Sequence, residues 1–381
     1  MQFFRNALNV ARRGKRKVER RLPLRPGLKI HGHLMSEIGL GEAARNMARA
    51  AWAAEIPLSY GNFPLPGRDN ERAFARRRWR SVPRRAALTV LGLKGVTRAA
   101  GRLDPRPFAI AYPAWELPRV PPEERGTLER IDEFWAMSRF VQDALEPELS
   151  PPVVWMPQAL PLPAAVPPER AGRERLRVFT FFDADSWVPR KNPQAAVSAF
   201  TAAFGPARRD VELVVKLRGG RGGEIRGWLL DAAARDDRIT VIDETLSRAA
   251  LDALTADCDV FLSLHRSEGF GFGAAEALAA GKAVVATDFG GTVDFVTPET
   301  GWPVPWTRLE LGPGDYVHTE GQWWADPSVE AAAEALEAIY DRPDEARARA
   351  EAGFALLQRN HSFESVGARM RARLSELGML R

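Results

Sequence analysis

The chain has 381 residues, 45% of them hydrophobic and 27% charged, which suits two domains with a sizeable core and excludes a disordered or fibrous protein. One cysteine excludes a disulfide framework and any thiolate-rich metal site, and no apolar run reaches the roughly 18–20 residues of a membrane span. The net charge of +5 would suit a nucleic-acid binder if it covered one face, but residues 1–26 hold nine Lys/Arg against one Glu, leaving the other 355 residues at −3.

The basic tail, 1–26, has a partial helical stripe of Phe4, Leu8, Ala11, Val18 and Leu22 with arginines on its other sides. Such a segment can lie on an anionic membrane; a solvated tail or an organelle-targeting peptide are its alternatives. No apolar core follows the charges, so a secretory signal is not expected. Leu28–His33 then predicts a short strand, followed by a loop with Gly39 and Gly41 and an Ala-rich helix over Glu42–Ala54. A second basic cluster, Arg68–Arg85, holds eight basic residues against Asp69 and Glu71. Further strands are predicted at Ala86–Leu93, Phe108–Tyr112 and Glu133–Ala136, the last running into a helix at Ser138.

The proline-rich stretch Pro157–Pro168 cannot pack as regular structure and marks the best domain boundary. Beyond it, strands are predicted at Arg177–Phe182, Leu213–Lys216, Ile239–Ile242, Val260–Leu264, Ala283–Thr287 and Trp302–Val304. Helices are predicted between them, and three amphipathic helices close the chain. The resulting expectation is an α/β protein with two doubly wound, Rossmann-like domains facing each other across a cleft. The first domain covers 27–160, a linker 161–175, and the second 176–360; the final helix, 362–377, packs back on the first domain. A ligand belongs in the cleft, at the carboxyl ends of the strands.

The most informative segment runs from Ser263 to Lys282. A strand ends in a polar turn, Gly269, Gly271 and Gly273 alternate, and a helix opens near Gly273. Glycines let backbone N–H groups approach an anion such as a diphosphate, and the helix start adds a positive dipole end. Glu268 in the loop and Glu276 on the helix can both face the cleft, and a carboxylate can accept two hydrogen bonds from a vicinal diol.

Glu268, seven residues, Glu276, with Gly269-Phe270-Gly271 after the first Glu, resembles the retaining glycosyltransferases of family 4, which have the GT-B fold. The continuation through Asp288, Gly290, Gly291 and Asp294 also fits. The resemblance covers roughly 28–377 and is strongest over 176–306. It implies a Glu268 beside the transferred sugar and a Glu276 on the nucleotide ribose. It implies a cation for the leaving diphosphate at Lys191, with Arg190 second, in the stretch after the first strand of the second domain. The Gly-Arg pair common just upstream is replaced here by Phe182-Asp183-Ala184-Asp185, so Lys216, Arg218 and Arg266 are substitutes for the second cation. Gly39 and Gly41 correspond to the first loop, near the donor phosphate and the acceptor. Trp115 can stack on a sugar and Glu116 can accept from its hydroxyls, where many members carry a histidine; His33 joins these on the acceptor side.

The implied activity is that of a hexosyltransferase, moving a hexose with retention from a nucleotide sugar to a glycan or lipid-linked acceptor in cell-surface polysaccharide (lipopolysaccharide-type) biosynthesis. GDP-mannose is the preferred donor and a UDP-sugar the next. The alternative is a non-catalytic nucleotide- or glycan-binding protein that keeps the fold. Were the reaction inverting, Glu37 or Glu116 would be the base. No metal or other cofactor is expected: Asp183-Ala184-Asp185 imitates a metal motif of the other main glycosyltransferase fold, but cations and helix ends can do that work here. His31 and His33 share one face of a strand without an evident third ligand. An NAD enzyme is disfavoured because the first loop lacks the Gly-x-Gly-x-x-Gly spacing. No nucleic-acid motif accompanies the basic patches, so no nucleic-acid partner is expected. The expected location is cytoplasmic, with the basic tail offering a peripheral place on the inner face of the cytoplasmic membrane.

Overall fold

The computed structural model describes residues 22–68, 71, 82–167, 175–219 and 223–381. Most of the basic tail and most of the Arg68–Arg85 cluster therefore lie outside the described residues.

Two six-stranded, wholly parallel sheets form the scaffold. The first contains β1 (Arg25–Gly32), β2 (Leu58–Asn62), β3 (Arg84–Gly92), β4 (Phe108–Ala114), β5 (Glu133–Ala136) and β6 (Val153–Trp155), in the order β2-β1-β3-β4-β5-β6. The second contains β7 (Leu176–Asp183), β8 (Val211–Arg218), β9 (Ile239–Asp243), β10 (Val260–Ser263), β11 (Ala283–Thr287) and β12 (Trp302–Val304), in the order β12-β11-β10-β7-β8-β9. Helices cover both faces of such sheets, so the inner strands are apolar on both sides. Every residue of β11 is buried, as are Val260, Phe261 and Leu262 of β10. The strand order reverses between β1 and β3 and again between β7 and β10. Loops diverge at these two points and open a crevice outside the carboxyl ends of the strands.

The two strands of the first sheet that the apolar pattern missed, β2 and β6, are its edges. An edge strand is covered less completely, and only Ser59 of β2 and Val153 of β6 are buried. A further antiparallel hairpin joins β13 (Trp306–Glu310) to β14 (Trp323–Pro327), with Trp306 opposite Pro327. The hairpin gathers three tryptophans: Trp306 and Trp323 stack with centroids 5.5 Å apart, and Trp324 is buried.

The proline-rich stretch forms no regular element, yet it is not a solvated tether. Gln158, Ala159 and Leu160 are buried, Tyr112 Oη donates to the Met156 carbonyl at 3.1 Å, and the Leu160 N–H donates to the His361 carbonyl at 2.8 Å. The chain then returns to its first half. Helix Pro343–His361 ends at Ser362, whose hydroxyl caps the next helix by accepting from the Ser365 N–H. That last helix, Phe363–Glu376, lies on helix Gly39–Ala53 so closely that a Cβ at Gly367 would stand 2.2 Å from the Ala50 carbonyl. Arg373 from the last helix reaches the buried Glu133 carboxylate at 2.6 Å. Among the described residues, no helix is long and apolar enough to cross a membrane.

Candidate active site

A cavity of about 590 Å³ opens between the carboxyl edges of the two sheets. The first half contributes Gly39 and Leu40 from the start of the helix after β1, Ala114 and Glu116 from the end of β4, and Met137 from the end of β5. The second contributes Asp183 to Trp187 after β7, with Lys191, and Glu268 to Gly271 after β10.

Glu268 is the electrostatic centre. Its carboxylate pairs with Lys191 Nζ and lies 3.3 Å from Arg190 Nη1. Burial alone would raise this carboxyl, but the charges of Lys191 and Arg190 outweigh it and hold it down at about 2. The group is therefore ionised at neutral pH. Arg190 is 3% exposed and donates to the Ser267 carbonyl at 2.7 Å, so it stands behind the loop and fixes its path. Lys191 lines the cavity itself. Their shared turn is unusual. Trp187 and Asn192, which flank helix Val188–Lys191, both adopt left-handed backbone angles (φ 58° and 50°), a conformation costly for a tryptophan. Asn192 donates to the Leu264 carbonyl at 3.1 Å, tying that turn to the end of β10.

The loop that carries Glu268 is clamped by the opposite half. Ser267 Oγ donates to the Glu116 carbonyl at 2.5 Å, and Ser138 Oγ donates to the Gly269 carbonyl at 2.6 Å. A Cβ at Gly269 would meet the Trp115 carbonyl at 2.7 Å. Sequence reasoning assigned this glycine to close ligand approach; the structure shows that it also lets two halves of the protein touch. Gly271, with φ 91°, is the cap from which helix Phe272–Ala279 starts, and the first residues of that helix face the cavity. Its unpaired N–H groups and positive dipole end thus point at the space beside Lys191, an arrangement suited to an anion.

Of the residues singled out from sequence, Glu268, Lys191, Gly269, Phe270, Gly271, Gly39 and Glu116 line the cavity. Gly273, Asp183, Asp185 and Arg218 line it too, whereas Glu276, Lys216, Arg266, Gly41, Trp115 and His33 stand off it. Glu276 accepts from Arg248 Nη1 at 2.8 Å, and its burial raises its pKa against the pull of that arginine. Lys216 is 4% exposed, within β8. Arg266 is held by Asp326 at 3.0 Å and by the Pro189 carbonyl. A Cβ at Gly41 would stand 2.2 Å from the Ser36 carbonyl, so this glycine closes its own loop. Trp115 is 4% exposed, with its indole N–H given to the Arg119 carbonyl at 3.1 Å and its ring 6.3 Å from that of His318. An indole so enclosed presents no open face to a sugar, which corrects the stacking role expected of it. His33 is tied to the Phe63 carbonyl at 2.8 Å, and the rings of His31 and His33 lie 6.0 and 6.5 Å from the Phe63 ring. Glu37 lines a neighbouring recess.

Four cavity residues carry more weight than sequence reasoning gave them: Arg68, Asp183, Asp185 and Arg218. Arg218 pairs with Asp183 at 2.9 Å, and Arg68 reaches across from the first half to Asp185 at 2.7 Å and Asp183 at 3.5 Å. The aspartate doublet was visible in the sequence, but it holds arginines in the structure. Arg68 sat among eight basic residues with nothing local to single it out. Tyr316, on the loop between β13 and β14, donates to Glu116 at 3.3 Å and packs edge-on against Trp187, so the hairpin also braces the rim.

Residues 184–341 match the model of the family described as glycosyl transferases group 1. No curated protein matches the sequence. Several solved structures share the fold. Sucrose-phosphate synthase from Thermosynechococcus elongatus is 16% identical with a TM-score of 0.63, over 93% of this chain and 99% of that one. HepE of Anabaena, solved with UDP-glucose, is 13% identical with a TM-score of 0.65, over 92% and 100%. The pneumococcal O-GlcNAc transferase GtfA, solved with UDP and GlcNAc, is 14% identical with a TM-score of 0.55, over 77% of this chain and 56% of that one, so the chain spans little more than half of that protein. The architecture is GT-B, and the match to the group 1 glycosyl transferase model lies in its second half.

Proposed function

We propose that the protein is a retaining hexosyltransferase of the family 4 type, moving a hexose from a nucleoside diphosphate sugar to a glycan or lipid-linked acceptor in cell-surface polysaccharide synthesis. The observation that carries this reading is the ionised Glu268 carboxylate, held between Lys191 and Arg190 at the mouth of a helix N-terminus, in a cleft built from both halves. Departure of a nucleoside diphosphate leaves positive charge at the sugar C1 and negative charge on the phosphate. A fixed carboxylate beside one and a lysine with backbone N–H groups beside the other stabilise both without a covalent intermediate. On the same face, the acceptor oxygen bonds to C1 as the C1–O bond to phosphate breaks, and the acceptor proton passes to a phosphate oxygen. Glu276 is assigned to the ribose, which requires it to exchange Arg248 for sugar hydroxyls.

This mechanism asks for no metal, because the carboxylates that would hold one, Asp183 and Asp185, are already paired with arginines. Residues 1–26 are assigned to an anionic membrane surface, where a lipid-linked acceptor would be met. The donor is chosen between GDP-mannose, the sequence-based preference, and the UDP-sugars, whose nucleotide accompanies HepE and GtfA.

The test is a thermal-shift panel of GDP, UDP, ADP and dTDP with their sugars, followed by nucleotide release. Stabilisation by one base and turnover of its sugar are expected. Stabilisation without turnover under any acceptor would favour the binding-protein alternative, and no response to any base would overturn the reading.

A further inference from the structure

The cleft holds two recesses rather than one. Beside the 590 Å³ cavity lies a second space of about 430 Å³, lined by Glu37, Asp243, Glu244 and Thr245 among others. Arg68, Asp185 and Arg218 line both, so they stand at the junction. The proposed donor has the same plan, two bulky ends joined by a diphosphate. Cations are needed where the diphosphate lies, and besides Lys191 the cavity is lined by the guanidiniums of Arg68 and Arg218.

On that reading of the function, we propose that Arg68 and Arg218, one from each half, form a clamp for the donor's diphosphate. Before the donor binds, Asp183 and Asp185 neutralise the two guanidiniums. All four side chains keep access to solvent: Arg68 is 34% exposed and Arg218 25%, with Asp183 at 23% and Asp185 at 28%. A guanidinium has five N–H donors in a rigid fork, so one edge can stay on a carboxylate while another meets a phosphate. The spacing is fixed locally. The Asp185 N–H donates to Asp183 Oδ1 at 2.9 Å, and Gly219, with φ 107°, turns the chain after Arg218 so closely that a Cβ there would stand 3.0 Å from both aspartate side chains. The clamp reaches across the cleft, so diphosphate binding also ties the two halves together. The aspartate doublet thereby serves as a counter-ion pair and not as a metal site.

The experiment compares the nucleoside diphosphate with the bare nucleoside of the same base by calorimetry, using the full chain. Wild-type protein should bind the diphosphate far more tightly. Arg218→Gln and Arg68→Gln should each weaken diphosphate binding about tenfold, as loss of one charge-assisted phosphate contact does, and leave nucleoside affinity unchanged. Arg218→Lys should recover part of the loss, and the salt dependence of binding should become shallower in both glutamine variants. Equal losses for nucleoside and diphosphate would overturn the clamp, as would no loss for either. So would a loss of wild-type diphosphate affinity on adding EDTA, which would give the doublet to a metal. Failure of the wild type to bind any nucleoside diphosphate is a different result, and it would overturn the proposed function itself.

Discussion

The two parallel sheets present the same kind of edge to the cleft and equip it differently. The second half supplies fixed charge: Asp183 and Arg218 end β7 and β8, Glu268 lies in the loop after β10, and Arg190 and Lys191 are on the short helix after β7. The first half supplies mainly surface and restraint: the helix start at Gly39, Ala114, Met137, and the two contacts that hold the Glu268 loop, at the Glu116 carbonyl and the Ser138 hydroxyl. Its charged contributions, Glu116 and Arg68, reach in from the rim. Fixed charge at the cleft is thus carried mainly by one half, and the other half bears on it through its contacts with the Glu268 loop. The comparison teaches that the Glu268 loop is an interface element, so a change on either side should be felt at Glu268.

Substitutions can break that comparison. The largest stability loss is expected for Arg190→Gln, which leaves the Ser267 carbonyl and one side of Glu268 without their buried partner; about 3 kcal/mol should be lost in chemical denaturation. A loss below 1 kcal/mol would show that Lys191 alone suffices. Next comes Gly291→Ala. A Cβ there would meet the Gly269 carbonyl at 2.3 Å and Phe270 Cα at 2.5 Å, so overpacking should cost about 1–3 kcal/mol and disturb the loop that carries Glu268. Donor turnover should fall along with the melting temperature, and an unchanged turnover would separate loop packing from the site.

A smaller effect tests the contact between the halves through pH. Asp294 accepts from the Arg139 N–H at 2.9 Å, from the second half to the first. Burial raises its pKa to about 6, against the pull of that hydrogen bond. Because the folded value lies above the unfolded one, folding favours the protonated form. The group costs nothing below about pH 4, costs more as pH rises towards 6, and its full cost is in place at pH 7. Asp294→Asn should therefore match wild type near pH 4 and exceed it by about 1–2 kcal/mol at pH 7. Equal stability at both pH values would place the Asp294 carboxyl in water. The smallest effect on chemistry is expected from deleting residues 1–21, which leaves β1 whole: partition onto anionic vesicles should fall, while nucleotide release stays as it was. Unchanged partition would return the segment to a solvated tail.

Much of this was legible in the sequence, and the reasons differ by residue. The inner strands β10 and β11 were readable because both faces are buried, so Val260-Phe261-Leu262 and Ala283–Ala286 are apolar without interruption. The edge strand β2 was not, since partial cover lets Tyr60 and Asn62 stand where an inner strand would need apolar residues, and β6 is only three residues long. Glu268 and Lys191 could be named because both lie in local patterns with glycines or prolines at fixed offsets. Arg68 could not, because its partner Asp185 is 117 residues away. Trp115 was misread for a similar reason: composition marks an aromatic in a loop, but only the fold shows that Arg119 and His318 have already closed around it. Pair contacts across the cleft were thus the hidden part, whereas each half's own secondary structure was the readable part.

The most direct test of the central claim is single-turnover release of nucleoside diphosphate from the cognate nucleotide sugar by wild type and by Glu268→Gln. Loss of the carboxylate charge should slow release by about 10²–10³-fold, the scale of losing one preorganised electrostatic contact, with donor affinity within a few-fold of wild type. Release at the wild-type rate from Glu268→Gln, with the donor bound normally, would contradict the claim that this buried carboxylate is the centre of the chemistry.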